Sequence, residues 1–139
     1  MKFPVVLFLA FLYNSAFAQD PPYDTKKVNE GKVINLAADQ QIEIQGILYK
    51  NIIYYIEDNF EIITAYNTDG TIIWQTNMQD IFNCPCVGKP GIRLIMIGNE
   101  MVCGNTFDVN ENELFIIYAK HDFAKINIYT GIGTYLGSD

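Results

Sequence analysis

The stretch Ile52-Ile53-Tyr54-Tyr55-Ile56-Glu57-Asp58-Asn59-Phe60-Glu61-Ile62-Ile63-Thr64-Ala65-Tyr66-Asn67-Thr68-Asp69-Gly70-Thr71-Ile72-Ile73-Trp74 is three runs of β-branched and aromatic residues cut by two polar breaks. Such residues fit a pleated, half-buried surface, and their spacing follows period two or short unbroken runs rather than a helical repeat. The break at Asp69-Gly70 supplies the residue at positive φ that a tight hairpin requires. The same character extends outward. From Lys32 to the C-terminus the pattern predicts strands at 33–36, 41–49, 52–56, 61–66, 71–76, 92–97, 114–119, 125–129 and 133–136. Turn formers separate them, among them Lys50-Asn51, Asp58-Asn59, Gly98-Asn99, His121-Asp122 and Thr130-Gly131. Most gaps are too short for crossover helices, so neighbouring strands pair as antiparallel hairpins. The expected fold is all-β: an antiparallel meander of eight or nine short strands in one domain over 32–139. A helical turn is admitted only at 77–82.

One unit of this pattern occurs twice. Leu114-Phe115-Ile116-Ile117-Tyr118, then Lys125-Ile126-Asn127-Ile128-Tyr129-Thr130-Gly131-Ile132-Gly133-Thr134-Tyr135, repeats the order strand, polar turn, strand, turn ending in Gly, and an aromatic four residues on. Gly70 and Trp74 in the first copy match Gly131 and Tyr135 in the second. This resembles the blade repeat of pyrroloquinoline-quinone-type β-propellers, whose last hairpin turns on Thr-Gly with a Trp at the same offset. The resemblance implies two blade-like units, with Gly70 and Gly131 shaping turns and Trp74 and Tyr135 docking against a neighbouring sheet. The copies depart from that pattern at Asp69-Gly70 and at Tyr135. A propeller needs roughly 4 to 8 blades, of about 40 to 45 residues each in the comparable WD-type repeat, and this chain supplies two or three at most. A small sandwich is therefore the other architecture expected. No quinone ligands are identifiable, and no cofactor is expected.

Residues 1–18 read as an address. Met1-Lys2 gives a positive start, 5–13 is apolar throughout, and Ala16-Phe17-Ala18 places small residues at −3 and −1 before Gln19. That is the form of a secretory signal peptide, too short to span a bilayer, which takes roughly 20 apolar residues. Residues 19–31 are polar, with Pro21-Pro22, and read as a flexible lead-in. The expected destination is secreted or periplasmic, with no membrane insertion after the signal is removed. Over 139 residues the 16 acidic and 9 basic side chains give a net charge of −7. That charge disfavours nucleic acid and anionic lipid as partners.

Secretion puts the three cysteines where disulfides persist. Cys103 paired with Cys84 or Cys86 would close a loop of about 16 to 18 residues, worth on the order of 3 kcal/mol. Direct bonding of Cys84 to Cys86 makes a very small ring around Pro85. The odd thiol is left free or joins a second chain. A soft-metal site at these three sulfurs is the sharper alternative.

Other chemistry thins out. Asp108-Val109-Asn110-Glu111-Asn112-Glu113 alternates oxygen ligands as a calcium loop does, but Glu113 and Ala119 stand where that loop needs Gly and a bidentate Glu. His121-Asp122 lacks a nucleophile, since Ser15 lies in the signal and Ser138 is next to last. Glu57, Asp58 and Glu61 crowd one turn, and no phosphate loop occurs. No catalytic residue, metal ligand set or cofactor site is assigned, and the chain is read as non-enzymatic. Tyr49, Tyr54, Tyr55, Tyr66, Tyr118 and Tyr129 exceed what a small core readily satisfies, because each buried hydroxyl wants a partner. They point either to half-buried rings with rim hydroxyls or to a recognition face. The expectation is a module that binds or scaffolds another macromolecule, a protein or a glycan. The alternatives are a short propeller relative that closes as a homo-oligomer, and a small metal-binding or thiol-dependent protein.

Overall fold

A computed structural model describes residues 20–36, 44–82, 91–98, 107–119 and 121–138. Its strands are β1 (Val28–Asn29), β2 (Val33–Asn35), β3 (Gly46–Tyr49), β4 (Ile52–Ile56), β5 (Ile62–Asn67), β6 (Ile72–Asn77), β7 (Ile92–Ile97), β8 (Glu113–Tyr118), β9 (Asp122–Asn127) and β10 (Gly133–Ser138). One short helix, α1 (Met78–Phe82), falls where the helical turn was expected. The chain is all-β. The first sheet has the order β1-β3-β4-β5-β6 and the second β10-β9-β8-β7-β2. Each is a four-strand antiparallel meander with a fifth strand supplied from the N-terminal segment.

That segment departs from the expected lead-in. Residues 25–27 form a 3-10 turn, and Val28 and Asn29 pair in parallel with Gly46 and Ile47. Three residues later β2 crosses to the other sheet and pairs antiparallel with β7, Ile34 opposite Ile95. Polar residues read as coil because they lack an apolar period, whereas an edge strand needs only unpaired backbone groups beside it. This parallel pair also corrects the expectation that neighbouring strands are all antiparallel. Elsewhere the boundaries shift. Residues 41–43 of the second expected strand lie outside the described residues. β9 begins at Asp122, taken from sequence as turn, and ends before Ile128. The β3–β4 hairpin turns on Lys50 and Asn51, whose φ of 49° and 60° are the two positive values of a type I′ turn.

The main core lies between the sheets. Tyr54, Ile56, Ile63 and Trp74 from the first sheet meet Ile95, Leu114, Ile116, Ile126 and Ile128 from the second, and all are buried. Two smaller clusters cover the outward faces. Ile53, Tyr55 and Tyr66 lie under Tyr23 and Val28 on the first sheet. Met96, Phe115 and Phe123 lie with Val109 and Phe107 on the second.

The joint between sheets is polar as well as apolar. The Trp74 Nε1–H and the Tyr54 hydroxyl both donate to the Ile128 carbonyl, at 2.9 and 3.2 Å, and the Thr76 hydroxyl donates to the Gly131 carbonyl at 2.6 Å. Gly131 has φ +72°, and a Cβ there would stand 2.6 Å from the Trp74 ring. Glycine is required at this position twice over, by dihedral and by close approach. Tyr135 behaves differently. It sits opposite Ala124, 48% exposed, with its ring edge-on to Phe82 at 5.7 Å. Trp74 sits opposite Ala65 while Tyr66 pairs with Ile72, so Ile73 is an extra residue that re-aims the indole.

Candidate functional site

The outward face of the first sheet carries an open cleft of about 430 Å³ lined by Pro21, Pro22, Tyr23, Asp24, Lys27, Tyr55, Glu57 and Asp58. Three parts of the chain build it. The N-terminal segment brings Tyr23, Asp24 and Lys27, because the Asp24 carboxylate accepts from the Lys26 N–H at 3.0 Å and caps the 3-10 turn. Strand β4 brings Tyr55 by its alternation and the turn after it brings Glu57 and Asp58. Strand β5 sets Tyr66 beside this lining, paired with Ile53 on the same face.

Gln45 clamps these parts together. Only 2% exposed, it donates from Nε2 to the Ile56 carbonyl and to Asp58 Oδ1, each at 3.1 Å, and accepts from Lys27 Nζ at 2.8 Å. Its backbone accepts from Ile56 N–H and donates to the Lys27 carbonyl, both at 2.8 Å. A buried amide with its bonds made fixes geometry, since leaving it unpaired would cost about 1–3 kcal/mol.

The tyrosines form the floor. The Tyr23 ring lies 5.1 Å from Tyr66 and 5.9 Å from Tyr55, both tilted. The Tyr66 hydroxyl donates to Glu57 Oε1 at 2.8 Å, and burial, with the Glu57 carboxylate beside it, pushes its pKa up to about 12. Burial also raises Tyr55, with Asp58, Asp24 and Glu57 adding to the rise and an Asp24 backbone hydrogen bond opposing it. Tyr23 is raised by burial and then by Asp69. Three carboxylates thus face one aromatic floor, with Lys27 the only cation among the lining residues.

Of the residues singled out in the sequence, Tyr55, Glu57 and Asp58 line the cleft, and Tyr66 stands beside it, bonded to Glu57. Glu61 does not: it accepts from Gln79 Nε2 at 3.1 Å. Tyr54 and Tyr118 are core residues, Tyr118 stacked on Phe82 at 4.8 Å. Tyr129 is half exposed, its hydroxyl 3.5 Å from Asn112 Oδ1. In the acidic turn at 108–113, which lacks the Gly and Glu of a calcium loop, Lys125 Nζ bonds the Asp108 backbone carbonyl at 2.8 Å and stands 3.4 Å from Glu113. Ser138, next to last in the chain, is the last residue of β10. It donates to Asp122 at 2.5 Å and is bonded to the Tyr135 hydroxyl. Among the described residues no group of three or more His, Cys, Asp and Glu is placed to hold a metal. Cys84, Cys86 and Cys103, and residues 1–18, lie outside the described residues.

Sequence reading missed Tyr23, Asp24, Lys27 and Gln45. The run Pro-Pro-Tyr-Asp was visible, but nothing local says that it folds back on the sheet. Among the described residues no helix is long and apolar enough to cross a membrane. Comparison with family models, with curated proteins and with solved structures finds no match.

Proposed function

We propose that this chain is a secreted or periplasmic, non-enzymatic binding module that receives a basic side chain of a protein partner in the cleft on its first sheet. The observation that supports this reading is the convergence of Tyr23 and Tyr55 with Asp24, Glu57 and Asp58 on one open cleft, with Tyr66 packed on Tyr23 beside it. Aromatic faces and carboxylates both attract a guanidinium or ammonium group, by the ring quadrupole and by charge. The net charge of −7 speeds encounter with a basic surface and discourages an acidic one. The aromatic ring contacts and the Gln45 clamp hold the floor in place before a ligand arrives, which lowers the cost of binding.

The test is a titration of the protein with a short Arg-containing peptide, its Glu counterpart and a neutral malto-oligosaccharide, following the tyrosine ring signals by NMR. The Arg peptide is expected to shift Tyr23, Tyr55 and Tyr66, with affinity falling as salt rises. Glu57→Gln with Asp58→Asn should weaken it about tenfold, the scale of one lost charge-assisted contact. Binding of the sugar but not the peptide at these rings would move the reading to glycan recognition. Silence at these rings with all three probes would end it.

A further inference from the structure

The two sheets are not packed as mirror halves, and this has a consequence for assembly. With the two Gly-containing turns superposed, the pair Ile53–Tyr66 in the first sheet corresponds to Leu114–Ile126 in the second, and Gly70 corresponds to Gly131. Leu114, Ile116 and Ile126 face the core between the sheets, whereas Ile53, Tyr55 and Tyr66 face outward. The converse holds for the other side. Tyr54, Ile56 and Ile63 face the shared core, whereas Phe115, Ile117 and Phe123 face outward. The front of one sheet therefore lies on the back of the next. Such a head-to-tail contact does not terminate itself, unlike the contact of two like faces. Each open end must be covered, as terminal repeats cover a solenoid.

The covers are visible. On the second sheet's turn, Trp74 stands against Gly131; on the first sheet's turn, a Cβ at Gly70 would stand 3.0 Å from Pro22 Cδ. Pro22 thus occupies the place on the first turn that Trp74 occupies on the second, and Tyr23 and Val28 roof the face beside it. At the far end Phe107 lies on Phe115 and Phe123, at 5.2 and 5.0 Å, with Val109 beside them. The first cover is held to its sheet's edge by a parallel pair of only two residues and by the bonds between Lys27 and Gln45.

We infer that Pro22, Tyr23 and Val28 cap the seat of a further sheet, and that the sheet fitting this seat is the second sheet of another copy of this chain. The apolar part of the internal joint continues into this contact, while the Ile128 carbonyl of the longer turn and its Tyr54 donor have no counterpart there. Phe115, Ile117 and Phe123 stand where Tyr54, Ile56 and Ile63 stand, and the first sheet's outward face stands where the second sheet's inward face does. The two caps keep the native chain single. This inference shares Pro22, Tyr23 and Tyr55 with the cleft but rests on the relation between sheets and not on the carboxylates.

The test mixes two purified variants, one with the first cap opened (Pro22→Gly, Tyr23→Ser and Val28→Ser) and one with the second opened (Phe107→Ser). Mass is followed by light scattering, up to about 1 mM, the weak end of specific affinity. Each variant alone stays a monomer, because each exposes one face and keeps the complementary one covered. The mixture gives a 1:1 complex and nothing longer, because the remaining caps close both ends. Trp74, the single tryptophan, reports by its emission that the joint within each chain is intact. If either variant loses that emission, Tyr23→Ala and Phe107→Ala repeat the mixture with less disturbance. A mixture that stays monomeric with Trp74 in its native environment overturns the inference. So does self-association of either variant alone, which would mean that like faces pair.

Discussion

The Ile128 carbonyl accepts from two side chains of the opposite sheet, and neither donor is easily read from sequence. Because either donor alone satisfies the oxygen, their losses are not independent. Tyr54→Phe is expected to cost about 1 kcal/mol, the net worth of one hydrogen bond, and Trp74→Phe somewhat more because the indole also packs on Gly131. The double variant should exceed the sum by about 1 kcal/mol or more, since only it leaves a buried carbonyl unpaired. Urea unfolding followed by far-UV circular dichroism checks this, and strict additivity would show that water replaces the missing donors. Tyr66 gives a pH prediction. Its phenol ionises near 10 in the unfolded chain and at about 12 when folded, so its contribution is complete below pH 10 and is lost as pH rises from 10 through 12. Tyr66→Phe should make the loss of stability across that window shallower, and Glu57→Gln should let Tyr66 ionise earlier, as read from phenolate absorbance.

The two hairpin turns show how one residue changes an element's task. The first closes from Asn67 N–H to the Thr71 carbonyl, and the Asp69 side chain ties down the Thr71 N–H and hydroxyl at 2.9 and 2.7 Å. Those bonds hold the Asp69 carboxyl below its usual range. The second closes from Asn127 N–H to the Ile132 carbonyl and is one residue longer. Ile128 lies within that longer turn, with no exposure, and both its side chain and its carbonyl enter the joint. Deleting Ile128 to match the first turn should cost about 2–5 kcal/mol, the range for losing a large buried aliphatic, and move Trp74 emission toward that of a solvated indole. An unchanged urea midpoint would show that the turn's length is incidental. Strands were legible because Ile, Tyr and Phe form short, nearly unbroken apolar runs over β4, β5 and β8 between turn formers, as strands buried on both faces do. Which face was not legible. Tyr54 and Tyr55 are neighbours of one type, yet one is in the shared core and the other on the outward face. The bulge at Ile73 and the pairing of Val28 beside Gly46 leave no mark in a local pattern, because each is decided by a distant strand. The site was legible only in its β4–β5 half. Its other half comes from residues 21–27, which carry no period at all.

At the scale of the molecule, connectivity and the shared core act together. The N-terminal segment places β1 on the edge of one sheet and β2 on the edge of the other, so neither sheet is complete without it. The shared core draws buried residues from both sheets, while the outward clusters are smaller and lie at the ends. Neither sheet buries its inward face alone, since Trp74 and Tyr54 would lose their acceptor and Ile128 its cover. The two sheets are therefore expected to unfold as one cooperative unit. Trp74 emission, reporting the joint, and far-UV circular dichroism, reporting both sheets, should give coincident transitions in urea. Residues 21–29 are the exception. Two ladder positions, the bonds between Lys27 and Gln45 and the Tyr23 ring contacts are fewer than the ladders on either side of a central strand, so its amides should exchange by a local route below the global free energy. Amides of β8 and β9, central in their sheet and buried on both faces, should exchange only through global unfolding. Native-state hydrogen exchange separates these cases directly. Equal protection at Val28 and at Ile116 would show the N-terminal segment to be part of the cooperative core rather than a cover laid over it.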